Sequence, residues 1–300
     1  MKHYISRLDR GVLYMLLASF LFAIMGAFAK LASEELSSLE IVFFRNVFGV
    51  LIIGYAVLKT PMKHVGGRPF LLFFRGFMGF TALLAFFYNI ANIPLADAIT
   101  FSKTSPIFTA IFAWLFLKER LSPAAWLAVM IGFVGIVMIT KPSGFMLSKT
   151  DWLGIFSGIG AALAYTSVRE LKKYYDTRAI VLSFMLTGTL GPLFLLLLTP
   201  YVDAPPALDF MFAEFVMPTG ILWAYIVAMG IFATLAQLYM TKAYGESKAG
   251  IVGAVSYTNI VFAIFIGLLL GDAFPDIGML FGIGLIVAAG LMVARHKDKV

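Results

Sequence analysis

Apolar residues in this chain come in runs too long for an ordinary core helix and are broken only by short charged, Pro- or Gly-containing connections. A membrane-crossing helix needs about 20 mainly apolar residues. Runs of that kind cover Gly11–Ala32, Ser38–Leu58, Pro69–Ile93, Leu95–Leu117 and Ser122–Ile139, then Trp152–Leu171, Ala179–Thr199, Gly220–Ala243, Ala249–Leu270 and Ile277–Ala294. Ten transmembrane helices are therefore expected, with Pro94 marking a tight turn between the third and fourth. The run after Met1 to Arg10 is too long for the apolar core of a secretory signal, so it is read as the first span.

Charge gives the orientation. With the N-terminus on the cytoplasmic side, that side receives Lys2, Arg7, Arg10, Lys59, Lys63, Arg68, Lys118 and Arg120. It also receives Lys172, Lys173, Arg178, Lys242, Lys248, Arg295, Lys297 and Lys299, whereas the opposite loops carry only Lys141 and Lys149 among basic residues. The positive-inside bias puts both termini in the cytoplasm.

The halves repeat. Ser105 to Glu119 aligns with Thr258 to Asp272 at an offset of 153 positions. Five spans per copy is an odd number, so the second copy starts on the side opposite to the first. The expected fold is an all-α polytopic membrane protein built from two inverted five-helix repeats, 11–141 and 152–294, joined through Lys141-Pro142-Ser143-Gly144.

Composition agrees: 61% of the residues are hydrophobic and 13% charged, against about 45–50% and 25% in soluble domains. A formal charge of +7 would otherwise suggest nucleic acid, but the basic residues serve topology, so no nucleic-acid partner is expected. With no cysteine, and with His3, His64 and His296 scattered in tails and loops, neither a metal site nor a thiol nucleophile is expected. Gly154 with Gly158 and Gly278 with Gly282 have the spacing that lets helices approach closely.

Phe43-Phe44-Arg45, Pro94-Leu95-Ala96-Asp97-Ala98, Ser105-Pro106, Lys118-Glu119-Arg120, Gly132-Phe133-Val134-Gly135-Ile136-Val137 and Lys141-Pro142 occur in that order along the chain. In these motifs the chain resembles the drug/metabolite transporter superfamily, specifically proteins made of two EamA-type five-helix domains. Arg75-Gly76 together with the Pro-Leu-Ala-Asp-Ala motif is similar to the branch containing S-adenosylmethionine and riboflavin uptake proteins. The resemblance implies a substrate path surrounded by the third, fourth, eighth and ninth helices. The second copy departs from the pattern, with Asn259 where the first has Pro106 and Asp272 where it has Glu119.

Polar groups at bilayer depth are costly, so they mark candidate function. Arg45, Arg75 and Lys103 lie well inside the second, third and fourth spans. Helical spacing puts Thr100, Lys103 and Thr104 on one stripe with Asp97 a turn away, and Pro106 is expected to kink that helix and act as a gate. Arg75 and Asn89 share a face of the third helix; Gln237 lies between Thr234 and Thr241 in the eighth; Tyr257 and Asn259 belong to the ninth, and Tyr165 to the sixth. The substrate-contacting set is thus Lys103, Arg75, Arg45, Thr100, Thr104, Asn89, Gln237, Tyr257, Asn259 and Tyr165. Asp97 and Glu170 are charge partners for Lys103 or proton carriers. The bland alternatives are snorkelling for Arg75, an ion pair for Lys103, and hydroxyls that bond only their own backbone.

These features favour a secondary transporter of a small polar or anionic metabolite over a lipid-modifying membrane enzyme or a non-transporting scaffold. The expected setting is the bacterial cytoplasmic membrane, as a monomer or homodimer, without a cofactor and with a proton as a coupling partner.

Overall fold

The structure is a computed structural model that describes residues 9–63, 66–93, 101–140, 148–202, 205, 208–269 and 274–295. All its main elements are α-helices: α1 (Arg10–Ala32), α2 (Ser38–Lys59), α3 (Pro69–Asn92), α4 (Ser105–Leu117), α5 (Pro123–Thr140), α6 (Lys149–Leu171), α7 (Thr177–Leu198), α8 (Leu222–Glu246), α9 (Ala249–Val255), α10 (Thr258–Leu269) and α11 (Ile277–Arg295). Six described helical stretches are long and apolar enough to cross a membrane: Arg10–Ala32, Ser38–Lys59, Pro69–Asn89, Thr177–Tyr201, Leu222–Glu246 and Ala249–Leu269. Ser105–Leu117, Pro123–Ile139 and Ile277–Met292 are shorter apolar helices. This is a polytopic helical membrane protein, and large apolar side chains such as Leu51, Phe73, Trp114, Leu190 and Phe265 stand exposed on its outer faces, where lipid would cover them.

Helix starts follow sequence chemistry. Ser37 caps α2 by accepting from the Glu40 N–H, and Glu40 returns the bond to the Ser37 N–H at 2.9 Å. Ser148 and Asp151 make the same reciprocal box at the start of α6. Glu40 also accepts from the Val216 N–H at 2.6 Å, so this carboxylate ties α2 to the connection before α8. Glu40 lies within the second apolar run, and the structure uses it fully as a cap.

The helices pair in a regular way. α1 lies along α8 and α3 along α6; α3 also packs on α7 and α2 on α8. α4 touches α6 while α10 touches α1, and α2 meets α7, α5 meets α11 and α4 meets α9. Val12, Ala18, Val129, Leu171, Tyr244 and Val252 join α1, α5, α6, α8 and α9 in one apolar cluster. Leu39, Ile41, Leu84, Leu195 and Ile226 join α2, α3, α7 and α8 in another.

Among the described glycines, a close approach to the backbone of another helix joins α5 and α11. A Cβ on Gly282 would stand 2.7 Å from the Gly135 carbonyl oxygen, and one on Gly135 would stand 2.8 Å from the Gly282 oxygen. The expected close-packing role thus holds for Gly282, whose neighbour is rigid backbone. Gly282→Val should force the helices apart at a cost of about 1–3 kcal/mol, read as a lower melting temperature of the purified protein in detergent.

Two connected helices are interrupted at matching points. Residues 101–102 are helical, Lys103 and Thr104 form a turn, and α4 begins at Ser105. In the second half, Ser256 and Tyr257 form the turn between α9 and α10. At the first break, Pro106 brings no N–H, Thr104 donates its N–H to the Phe101 carbonyl at 3.1 Å, and its hydroxyl donates to the same oxygen at 2.6 Å. The second break has no proline. There the Ser256 hydroxyl donates to the Gly253 carbonyl at 2.6 Å and the Thr258 hydroxyl to Val255 at 2.8 Å, while the N–H groups of Tyr257, Asn259 and Ile260 tighten to i−3 carbonyls. The single continuous ninth helix expected from hydropathy is corrected to two pieces, because local hydroxyls compete for its carbonyls.

Candidate substrate site

Arg45 and Arg75 come together from different helices onto one aromatic ring. Arg45 on α2 places its guanidinium carbon 5.6 Å from the centre of the Phe184 ring, and Arg75 on α3 places its own 4.5 Å from the same centre. Phe184 belongs to α7. Gly79, one turn beyond Arg75, makes the stack possible: a Cβ there would stand 2.6 Å from Arg75 Nη1 and 2.8 Å from the Phe184 ring.

Both arginines are buried, at 2% and 1% exposure. Snorkelling to a headgroup is thereby excluded for Arg75. Arg45 Nη1 donates to Asn46 Oδ1 at 3.3 Å, while Arg45 Nε and Arg75 Nε and Nη2 have no hydrogen-bond partner. Among the described residues neither guanidinium is paired with a carboxylate. Tyr165 on α6 lies within electrostatic reach of both, and its ring stacks on Tyr244 of α8 at 5.2 Å. Burying a cation without a counter-charge costs several kcal/mol. Cation–π attraction returns about 2 kcal/mol at a desolvated site, so the pair is retained at a net cost.

Lys103 connects the two interrupted helices. Its Nζ donates to Asn259 Oδ1 at 3.1 Å, and Asn259 Nδ2 donates to the Ser19 carbonyl on α1 at 2.9 Å. Pro106 lies against Gly253 of α9. Tyr257 is buried beside Gly132 of α5, its hydroxyl without a partner. Thr104 is occupied by its own turn, next to Gly158.

The remaining candidates are placed differently. Gln237 is buried on α8 with Nε2 unpartnered, as is the hydroxyl of Thr241, whereas Thr234 and Ser167 bond their own backbone. Asn89 donates to the Thr150 carbonyl at 2.8 Å, fastening the end of α3 to the start of α6. Glu170 pairs with Lys173 at 2.6 Å at the end of α6, on the surface and not with Lys103. Thr100 and Asp97 lie outside the described residues.

Phe184 and Tyr244 join this region without any signal in the sequence, whereas Asn46, a polar residue inside the second span, carries the same depth signal as Arg45. A second group that sequence reasoning missed is a latch at the end of the bundle. Glu119, in the connection after α4, pairs with Arg169 of α6 at 3.1 Å and accepts from the Ala249 N–H at 3.0 Å. Arg169 also donates to the Gly245 carbonyl at 3.1 Å, and Lys248 donates to the Arg120 carbonyl at 3.2 Å. Burial pushes the Glu119 carboxyl above its ordinary value, outweighing the Ala249 bond and the charges of Arg169 and Lys248. A raised value means that the folded, latched protein binds this proton better than the unfolded chain. Stability from this group should therefore grow as pH falls from neutrality toward about 4.3, the ordinary glutamate value, and be lost on the way back up. Glu119→Gln should flatten that part of the curve of melting temperature against pH.

Comparison with known proteins agrees with this polytopic class. Residues 9–141 match the profile of the EamA-like transporter family. The chain is 37% identical over 293 residues to an uncharacterized transporter of Helicobacter pylori, covering 95% of this chain and 94% of that protein. It is 35% identical over 294 residues to the pseudopaline exporter CntI of Pseudomonas aeruginosa, covering 97% and 98%. With the S-adenosylmethionine uptake transporter of Rickettsia prowazekii it shares 23% identity over 290 residues, covering 96% and 94%. A solved crystal structure has the same fold, with a TM-score of 0.77 at 19% identity over 96% of this chain and 99% of its own. The chain belongs to the EamA-like family of the drug/metabolite transporter superfamily and is a membrane transporter.

Proposed function

We propose that this protein is a secondary carrier of a small polar or anionic organic metabolite in the bacterial cytoplasmic membrane, working by alternating access. Two inverted five-helix repeats, 11–141 and 152–294, rock against each other with both termini in the cytoplasm. The helix pairing supports this: exchanging each helix for its counterpart five spans away turns the α1–α8 contact into α6–α3, α2–α8 into α7–α3, and α1–α10 into α6–α4. The matched breaks at Lys103–Thr104 and Ser256–Tyr257 obey the same exchange.

The observation that carries the reading is the Arg45–Arg75 pair, which lies where the halves meet and has N–H donors to spare. Lys103, Asn259, Tyr165, Tyr257 and Gln237 complete the substrate contacts, with Thr104 and Pro106 shaping the bend. Asn89 and Glu170 have structural partners and are best assigned to fastening. A transported proton fits Glu119 at the latch better than Glu170. The exporter is the more similar of the two relatives named for a substrate, so outward movement is the direction to assay first.

The test is a thermal-stabilisation screen of the purified protein over nucleosides, amino acids, flavins and carboxylates, followed by exchange of the stabilising compound in liposomes. Saturable exchange that depends on substrate on the far side supports the carrier. Stabilisation without any exchange would favour a receptor or scaffold.

A further inference from the structure

We propose that the Arg45–Arg75–Phe184 cluster is a subsite for a divalent oxyanion, either a phosphoryl group or a pair of carboxylates on one substrate. This deepens the carrier reading and rests on it only for the statement that the bound molecule is transported.

The inference starts from charge balance. Two full positive charges sit on one buried ring, and among the described residues no carboxylate pairs with either. Tyr165 and Asn46, the polar neighbours, are neutral. A monovalent anion would leave one positive charge uncompensated at a depth where water cannot screen it, whereas a divalent group neutralises both.

Donor geometry points the same way. Arg45 contributes Nε and Arg75 contributes Nε and Nη2 as N–H groups without partners, and they come from two planar forks on different helices. Guanidinium forks match the paired oxygens of phosphate and carboxylate. Three donors from two directions suit several oxygens held together better than a single carboxylate, which one fork would satisfy. Phe184 covers one face of both cations, so the anion must approach along the plane of the forks rather than from above. Tyr165, stacked on Tyr244, provides a neighbouring aromatic wall for the body of the substrate.

The test is thermal stabilisation of the full-length protein in detergent by β-glycerophosphate, succinate, acetate and chloride at matched ionic strength and neutral pH, where a phosphate monoester is mainly divalent. β-Glycerophosphate or succinate should raise the melting temperature with saturation, acetate and chloride should not, and whichever divalent probe acts distinguishes phosphoryl from paired carboxylates. Arg45→Met and Arg75→Met should each weaken the apparent Kd by at least about tenfold, one fork's contribution. Arg75→Lys, which keeps the charge and loses the fork, should lie between. Each variant's melting temperature without added anion shows whether it is folded. Acetate matching succinate, or an undiminished effect of the divalent probes on folded Arg45→Met and Arg75→Met, would overturn the subsite. If the divalent anions fail but another compound is exchanged in liposomes, the carrier survives and this subsite does not. If they bind but no exchange of any compound occurs, the subsite survives and the carrier does not.

Discussion

Arg75→Met is expected to abolish substrate exchange in liposomes while leaving the purified protein as stable as wild type, or more so. Exchange should fall because truncating one member of a buried charge recognition typically costs 2 kcal/mol or more, about 30-fold in affinity. Stability should not fall, because Arg75 is buried with Nε and Nη2 unbonded and no carboxylate beside it among the described residues. Methionine fills a similar volume without the desolvation cost, and the Phe184 contact it forfeits is the smaller term. The two outcomes together separate function from structure: residues kept for activity at the expense of stability behave this way. Loss of exchange accompanied by a collapse in melting temperature would instead mark Arg75 as part of the scaffold. The two measurements are transport of the compound found by thermal screening and the melting temperature without ligand.

Lys103→Ala should also reduce exchange sharply, to a low but measurable rate, for a different reason. Lys103 joins the break in the first half to the break in the second through Asn259, which in turn holds α1 through the Ser19 carbonyl. Removing it leaves Asn259 Oδ1 without this donor and uncouples the two interrupted helices, which would move together in the proposed carrier. Asn259→Ala should produce a similar defect, and the double variant should be little worse than either single one, because the two side chains act as one link. Losses that multiply in the double variant would show that they act separately. Direct exchange measurements on the three variants, each checked for folding, decide this.

Much of the helical scaffold is legible in the chain, because lipid imposes the run length of apolar helices. The breaks are legible in part. Pro106 announces the first through its missing N–H, but the second depends on Ser256 and Thr258 diverting carbonyls, a competition no hydropathy pattern registers. Glu40 and Asp151 were readable as caps from Ser37 and Ser148 three residues before each. At the site, depth alone singled out Arg45, Arg75 and Lys103. Their partners were not readable, because the contacts that bring Phe184 to the arginines and Asn259 to Lys103 span the two halves of the chain. Glu170 is expected from the sequence as a charge partner for Lys103, yet it faces Lys173, while Arg169 turns to Glu119.

The absence of cysteine from the natural chain makes alternating access directly measurable. Ser256→Cys places one thiol at the break between α9 and α10 with little change in size. A thiol reacts as thiolate, which requires water, so labelling reports an aqueous path to that point. A membrane-impermeant thiol reagent applied to oriented liposomes should label Ser256→Cys from the outside and, in a separate experiment, from the inside, with substrate changing both rates in opposite directions. Labelling from one side only, under every substrate condition, would contradict alternating access around this break.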